Sequence, residues 1–154
     1  MNFLEKAARL LEGITATDYN QIFLITTSEY NRQLITVADI IPNHKQRYRI
    51  ATFAGLLGLA SSTGKIINAD NVREKRGYFQ AVIETQSELV APILSNGLAI
   101  GVLNSESEKQ SHYNINMCKA VEQLAAAIGK LLPEFGWSPS LSVDDAPWVK
   151  RFPI

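Results

Sequence analysis

The sequence predicts an α+β sandwich, a central antiparallel sheet covered on one side by helices from the two ends of the chain. Three observations predict it. Apolar, β-branched runs come in two pairs, at 21–41 and 87–107, and each pair is joined by a short polar turn, as antiparallel neighbours are. Helical stripes of apolar residues stand at both ends, at 3–14 and 112–132. The 154 residues suit one domain with one sizeable core, and at 46% hydrophobic and 19% charged the composition is that of an ordinary globular protein.

Residues 3–14 place Leu4, Ala7, Ala8, Leu11 and Ile14 on one helical face. "QIFLITTS" (21–28) and "LITVADII" (34–41) read as buried strands around the turn "EYNRQ", and Pro42-Asn43 ends the second. "HKQRYR" (44–49) reads as a basic linker. Residues 53–64 are a helix candidate in spite of Gly55 and Gly58, each costing roughly 1 kcal/mol against Ala, and Gly64 stands where a C-terminal cap belongs. "KIINA" (65–69) is a short strand, and 70–86 a charged loop with a short helix. Over 112–132 the stripe Cys118, Val121, Ala125, Ile128, Leu132 defines the strongest helix, capped by Asn114 or Asn116 and stopped by Pro133.

Residues 134–154 carry Pro139, Pro147 and Pro153 with Phe135, Trp137, Trp148 and Phe152, too aromatic for a solvated linker. The expected division is therefore a domain over 1–133 and an extension over 134–154. The extension is expected to anchor near Trp137 and Trp148 on the domain or on a second protomer, with Asp144 and Asp145 at an exposed bend.

A formal net charge of zero supplies no field to draw in nucleic acid or an anionic membrane, so neither is an expected partner. No apolar run is long enough to span a bilayer, and "MNFLEKAARLLEGI" lacks the apolar region of a signal peptide. A single cysteine, Cys118, allows no intrachain disulfide, which fits a cytoplasmic location. His44 and His112 stand apart from other ligand-type residues, so they read as surface histidines, with no metal and no cofactor expected.

The segment "SELVAPILSNGLAIGVLNSES" (87–107) raises the functional question, because it gathers polar groups at the open end of a buried hairpin. A two-residue Asn96-Gly97 turn, which the turn chemistry favours, sets Glu88 opposite Ser105. A three-residue turn sets Glu88 opposite Asn104 and collects Glu106 on the same face. Pro92 removes a ladder donor, so an edge or a bulge is expected nearby, and Gly101 leaves room for a close approach to the sheet. Ser87 and Glu88 read either as caps on backbone N–H groups or as ligand-binding groups.

The ordered set "TGKIINADNV…GYFQAVIETQSELVAPILSNGLAIGVLNSES" followed by "AVEQLAAAIG" resembles a GAF domain over about residues 5–132. The resemblance implies a PAS-like sheet with terminal helices on one face and a ligand pocket on the other. It implies that Leu57, Leu59, Ala60, Tyr78, Phe79, Glu88, Asn104 and Glu106 line that pocket, with further wall from Phe53, Leu56, Val82, Val90 and Val102. It also implies a homodimer through the terminal helices, with Val121, Leu124, Ile128 and Leu131 in the seam.

One GAF branch, the free methionine-R-sulfoxide reductases, uses pocket cysteines and acidic residues. Its cysteine positions fall near Arg47, Leu57 and Ala81, none of them cysteine, and its acidic positions on Glu88, Asn104 and Glu106. No catalytic residue is therefore assigned. The basic clusters Lys45/Arg47/Arg49 and Arg73/Lys75/Arg76 are either solvated loop charge or attract an anion. The expected function is a stand-alone sensor that binds a small polar metabolite or small anion and signals to a separate protein. The alternatives are a divergent reductase or a ligand-free dimerisation scaffold.

Overall fold

A capping box begins the first helix, α1 (Phe3–Thr15). The Asn2 side chain accepts from the Glu5 N–H, and the Glu5 carboxylate accepts from the Asn2 N–H, both at 2.9 Å. These belong to a computed structural model that describes residues 2–27, 32–41, 49–52, 54–78 and 84–137. After α1 come β1 (Tyr19–Thr27), β2 (Arg32–Ile40), β3 (Arg49–Ala51), α2 (Gly55–Thr63) and β4 (Ile67–Ala69). A 3-10 turn at Val72–Glu74 leads on to β5 (Ser87–Ser95), β6 (Leu98–Ser107) and α3 (Ile115–Leu131), and a second 3-10 turn, Leu132–Phe135, follows.

The strands form one six-stranded antiparallel sheet in the order β3-β2-β1-β6-β5-β4. Because side chains alternate, each strand feeds two core layers. Ile22, Leu24, Leu89, Ile93 and Leu103 pack under Leu4, Ala8 and Leu11 of α1 and Val121, Ala125 and Ile128 of α3. Phe23, Leu34, Val90 and Val102 pack under Leu56, Leu57 and Ala60 of α2. Terminal helices on one face and α2 on the other is the expected arrangement.

The strand β3 was not expected. Its first residue, Arg49, is the last of a segment that reads as a basic linker, and only pairing with Gln33, Leu34 and Ile35 of β2 makes 49–51 a strand. Asn114 caps α3 by accepting from Met117 N–H at 2.9 Å, whereas Asn116 lies inside the helix. Gly64 closes α2 with φ of 66°, as its position predicts. The helix α3 ends at Leu131, ahead of Pro133 as expected, and Pro133 sits in the first turn of the second 3-10 segment, after which Trp137 packs against the core. His112 is not a free surface histidine. It is half-buried, and its Nε2 lies 2.7 Å from the Thr15 carbonyl, joining the end of α1 to the approach to α3.

The α3 stripe is spent inside the protomer. Val121 and Ile128, expected in a dimer seam, are each 1% exposed against their own sheet. Residues 138–154, Trp148, Asp144 and Asp145 among them, lie outside the described residues.

The hairpin register differs from both alternatives. Asn96 and Gly97 form the two-residue turn, with φ of 49° and 78° as that turn requires, and Ser95 faces Leu98. Ile100 then stands unpaired between Leu94–Ala99 and Ile93–Gly101, a β-bulge that moves every later pair by one residue. Pro92, beyond the end of β4, pairs with Val102 close to that bulge. What approaches Gly101 is β1 itself, since a Cβ there would stand 2.2 Å from the Phe23 carbonyl oxygen.

Gly129 serves α3 in the same way: a Cβ there would stand 2.0 Å from the backbone oxygen of Leu94. Gly129→Ala must push α3 off β5. The expected cost is about 3 kcal/mol, read as a lowered denaturation midpoint with unchanged far-UV circular dichroism. Val121→Glu, which buries an unpaired charge in the same layer, is expected to prevent folding rather than to yield a soluble monomer.

Candidate functional site

The shifted register places Glu88 opposite Glu106. One row further along, Gln21 of β1 is opposite Asn104 of β6. Alternation points all four to the face that α2 covers, and with Phe23 they line a narrow cavity closed by Ile50, Ala54, Gly55, Leu56 and Leu57. The cavity measures about 20 Å³, room for about one water or a group of that size.

Both carboxylates are deeply buried, with Glu88 3% and Glu106 4% exposed. Glu106 has donors: the Thr85 hydroxyl donates to Oε2 at 2.5 Å and the Asn104 amide to Oε1 at 3.2 Å. Asn104 Nδ2 also donates to Gln21 Oε1 at 3.2 Å. Glu88 finds no hydrogen-bond donor among the described residues. Burial, and then the neighbouring Glu106, hold the Glu88 carboxyl well above its usual range. Burial raises Glu106 as well, while Thr85 and Asn104 pull it back. Two amide atoms in the cavity wall, Gln21 Nε2 and Asn104 Oδ1, are buried without a partner. The site thus presents one unused donor, one unused acceptor and a carboxyl with no donor of its own, an unusual set for the interior of a sheet.

Neither Ser87 nor Glu88 caps a backbone N–H group among the described residues. The Ser87 hydroxyl donates to the Lys109 carbonyl at 2.6 Å and ties down the loop after β6.

Of the residues expected to line a pocket, Leu57, Glu88, Asn104 and Glu106 do so. Ala60 is fully buried in the layer under α2, and Tyr78 packs against that layer. Burial raises the Tyr78 hydroxyl pKa, the carboxylates of Glu106 and Glu88 add to this, and Thr85 opposes it. Leu59 is a correction: it is 45% exposed, because α2 turns it away from the sheet. Phe79, Phe53 and Val82 lie outside the described residues, as do Lys45 and Arg47. Arg73, Lys75 and Arg76 are exposed, and no described lining residue is cationic. Gln21 was missed, although its alternation with Phe23 and Ile25 already put it on one inward face.

A larger open groove of about 760 Å³ lies between β5 and α3, walled by Pro92, Leu94, Ala126 and Gly129. Its charged residues, Lys65, Glu122 and Lys130, are exposed, so the unusual chemistry belongs to the smaller cavity. Cys118 sits across the sheet in the α1/α3 layer, 8% exposed, with its thiol pKa raised first by burial and then by Glu122 and Asp70. Among the described residues no group of three His, Cys, Asp or Glu could hold a metal ion, and no helix is long and apolar enough to cross a membrane.

No protein-family model and no curated protein sequence matches the chain. Solved structures do. The type II free methionine-R-sulfoxide reductase of Thermoplasma acidophilum is similar with a TM-score of 0.75 and 22% identity, over 86% of this chain and 91% of that one. The free methionine-R-sulfoxide reductase of Neisseria meningitidis, solved with its substrate, gives 0.71 and 22%, over 82% and 74%. The GAF domain of an Acinetobacter phosphoenolpyruvate-protein phosphotransferase gives 0.71 and 17%, over 86% and 81%. The expected GAF fold is therefore present, and it is shared by enzymes and by GAF domains of larger proteins.

A carboxyl whose pKa is raised on folding binds its proton more tightly in the folded protein. The stability this gives is full below the unfolded value and is lost as pH rises through the folded one. Denaturant unfolding between pH 5 and 8 should therefore show stability falling with pH, at up to about 1.4 kcal/mol per pH unit for each proton released. Glu88→Gln should flatten the profile and raise stability at its alkaline end. A wild-type profile that rises across this window contradicts the burial of the pair.

Proposed function

We propose that this chain, which has the GAF fold, is a sensor domain that binds a small polar metabolite through an ammonium group at the Glu88–Glu106 end of its sheet. The observation that carries the reading is the pair of buried, facing carboxyls in one cavity with an unpartnered amide donor and acceptor. A protonated amine brings several N–H donors and a positive charge, which is what two carboxylates and Asn104 Oδ1 lack. Ala54 offers α2 no side-chain cap, so among the described residues no side chain takes the first N–H groups of α2, which border the cavity and suit an oxygen of the same ligand. The acidic lining favours a cationic or zwitterionic metabolite over the simple anion that the basic clusters suggested.

Occupancy is read out by protein contact, in a cytoplasmic setting. A homodimer through the terminal helices belongs to the same reading. With Val121 and Ile128 committed to the core, its contacts fall to outward residues such as Leu10, 59% exposed, and Phe135, 49% exposed and stacked on Phe3 with ring centroids 4.5 Å apart.

The competing reading is a reductase of free methionine sulfoxide, which the two reductase neighbours favour. That chemistry needs a thiolate at the substrate. The thiol of Cys118 is on the other side of the sheet from the carboxyls, and its pKa is raised rather than lowered.

Native mass spectrometry of the freshly purified protein is expected to show a bound small amine. Thermal-shift screening should favour free amines over their N-acetylated forms. Glu88→Gln and Glu106→Gln should each weaken binding about 10- to 100-fold, while Leu59→Ala leaves it unchanged. Thiol-dependent turnover of methionine sulfoxide, abolished by Cys118→Ser, would replace the sensor reading with the enzymatic one.

A further inference from the structure

We propose that Glu88 and Glu106 hold one proton between them while the site is empty, and that an ammonium group enters in exchange for that proton, so that occupancy of the domain falls as pH falls. The inference rests on the reading of the cavity as an amine site and adds how that site is regulated.

Geometry assigns the proton. Directly opposed residues of an antiparallel pair have Cβ atoms about 5 Å apart, so two ionised carboxylates here would repel at short range in a buried, poorly screened place. Among the described residues no neighbouring cation relieves that repulsion. Facing the pair are Gln21 and Phe23 from β1, Asn104 from β6, Leu56 and Leu57 from α2, and Thr85 from the segment before β5, and none is charged. Ala69 of β4 is opposite Glu88. Among the described residues, the other titratable groups in their field are the hydroxyls of Tyr78 and Tyr113, both shifted upward and therefore neutral at working pH.

The two carboxyls are also unequal. Glu106 has the Thr85 and Asn104 donors that an ionised carboxylate needs, and Glu88 has neither. Glu106 keeps the charge and Glu88 keeps the proton, in agreement with the stronger upward shift at Glu88. When an ammonium group seats, its N–H bonds and charge replace what the proton supplied. Glu88 ionises, one proton leaves to solvent, and the net charge of the filled site equals that of the empty one. The exchange needs no oxidant, reductant or further reactant. Below the Glu88 midpoint the apparent affinity should rise about tenfold per pH unit, the slope of one proton released per ligand.

The test follows the glutamate carboxyl ¹³C resonances of the full chain from pH 4 to 9, first alone and then with methylammonium chloride as probe. Tetramethylammonium, which carries charge but no N–H, is the control. In the empty protein Glu88 is expected to titrate last, with a midpoint that drops in Glu106→Gln. Methylammonium should lower that midpoint further and release one proton per site in weakly buffered solution, and tetramethylammonium should do neither. Should Glu106→Gln fail to fold, the wild-type titration and its proton count still decide. Methylammonium binding with no pH dependence overturns the exchange and leaves the amine site standing. Both carboxyls titrating in the ordinary glutamate range in the empty protein likewise overturn the exchange alone. No response to methylammonium at any pH overturns the exchange and the amine site together.

Discussion

Between the pairs Leu94–Ala99 and Ile93–Gly101, β6 carries one residue more than β5, and each pairing from there to the open end of the hairpin depends on that extra Ile100. A one-residue slip in a strand moves its side chains to the opposite face. Without the bulge, Glu88 would lie opposite Ser105 and Glu106 opposite Ser87, so the two carboxyls would fall on opposite sides of the sheet. Ile100 absorbs the mismatch and is itself buried under the terminal helices. A second irregularity, at Ile22/Phe23 in the β1–β2 pairing, sits on the strand next to it. Each bulge bends its strand and adds twist, and Gly101, with no Cβ, lets β1 and β6 close up beside them.

The cost of what this register creates is considerable. A buried ion costs several kcal/mol of lost hydration unless it is well paired, against a net stability of roughly 5–15 kcal/mol for a whole domain. Glu88 is buried without a donor, and Gln21 and Asn104 each keep an amide atom unused. Other buried polar side chains contrast with this. Thr15, Asn20, Ser61, Ser87, Ser105 and Tyr113 are all hydrogen-bonded within the fold. The unused amide atoms of Gln21 and Asn104 both stand in the cavity wall, as a site awaiting a ligand requires.

The same fold serves reductases and GAF domains, so function has to be read from side chains rather than from topology. Cys118 is a residue of α3 in the layer that α1 and α3 form, and the carboxyls face α2. The sheet separates this thiol from the polar cavity, and the contrast between its two faces is the chemical individuality of this chain.

The sequence by itself determined the layers. Period-two strands, helical stripes at both ends, the Asn-Gly turn, the Asn114 cap and the Gly64 stop all follow from local backbone and side-chain chemistry, and each is found where the local pattern puts it. It also named Glu88, Asn104 and Glu106 as one polar set. Tertiary structure decided what local chemistry leaves open. Three residues become β3 only because β2 offers an edge. The α3 stripe is equally compatible with a partner helix or a sheet, and packing against β5 and β6 settles which. Leu59 and Leu57 are both apolar, and only the rotation of α2 sends one to solvent and the other to the cavity. Above all, the pairing of Glu88 with Glu106 rests on a bulge that balances strand register against the packing of two core layers, and that balance involves residues far apart along the chain.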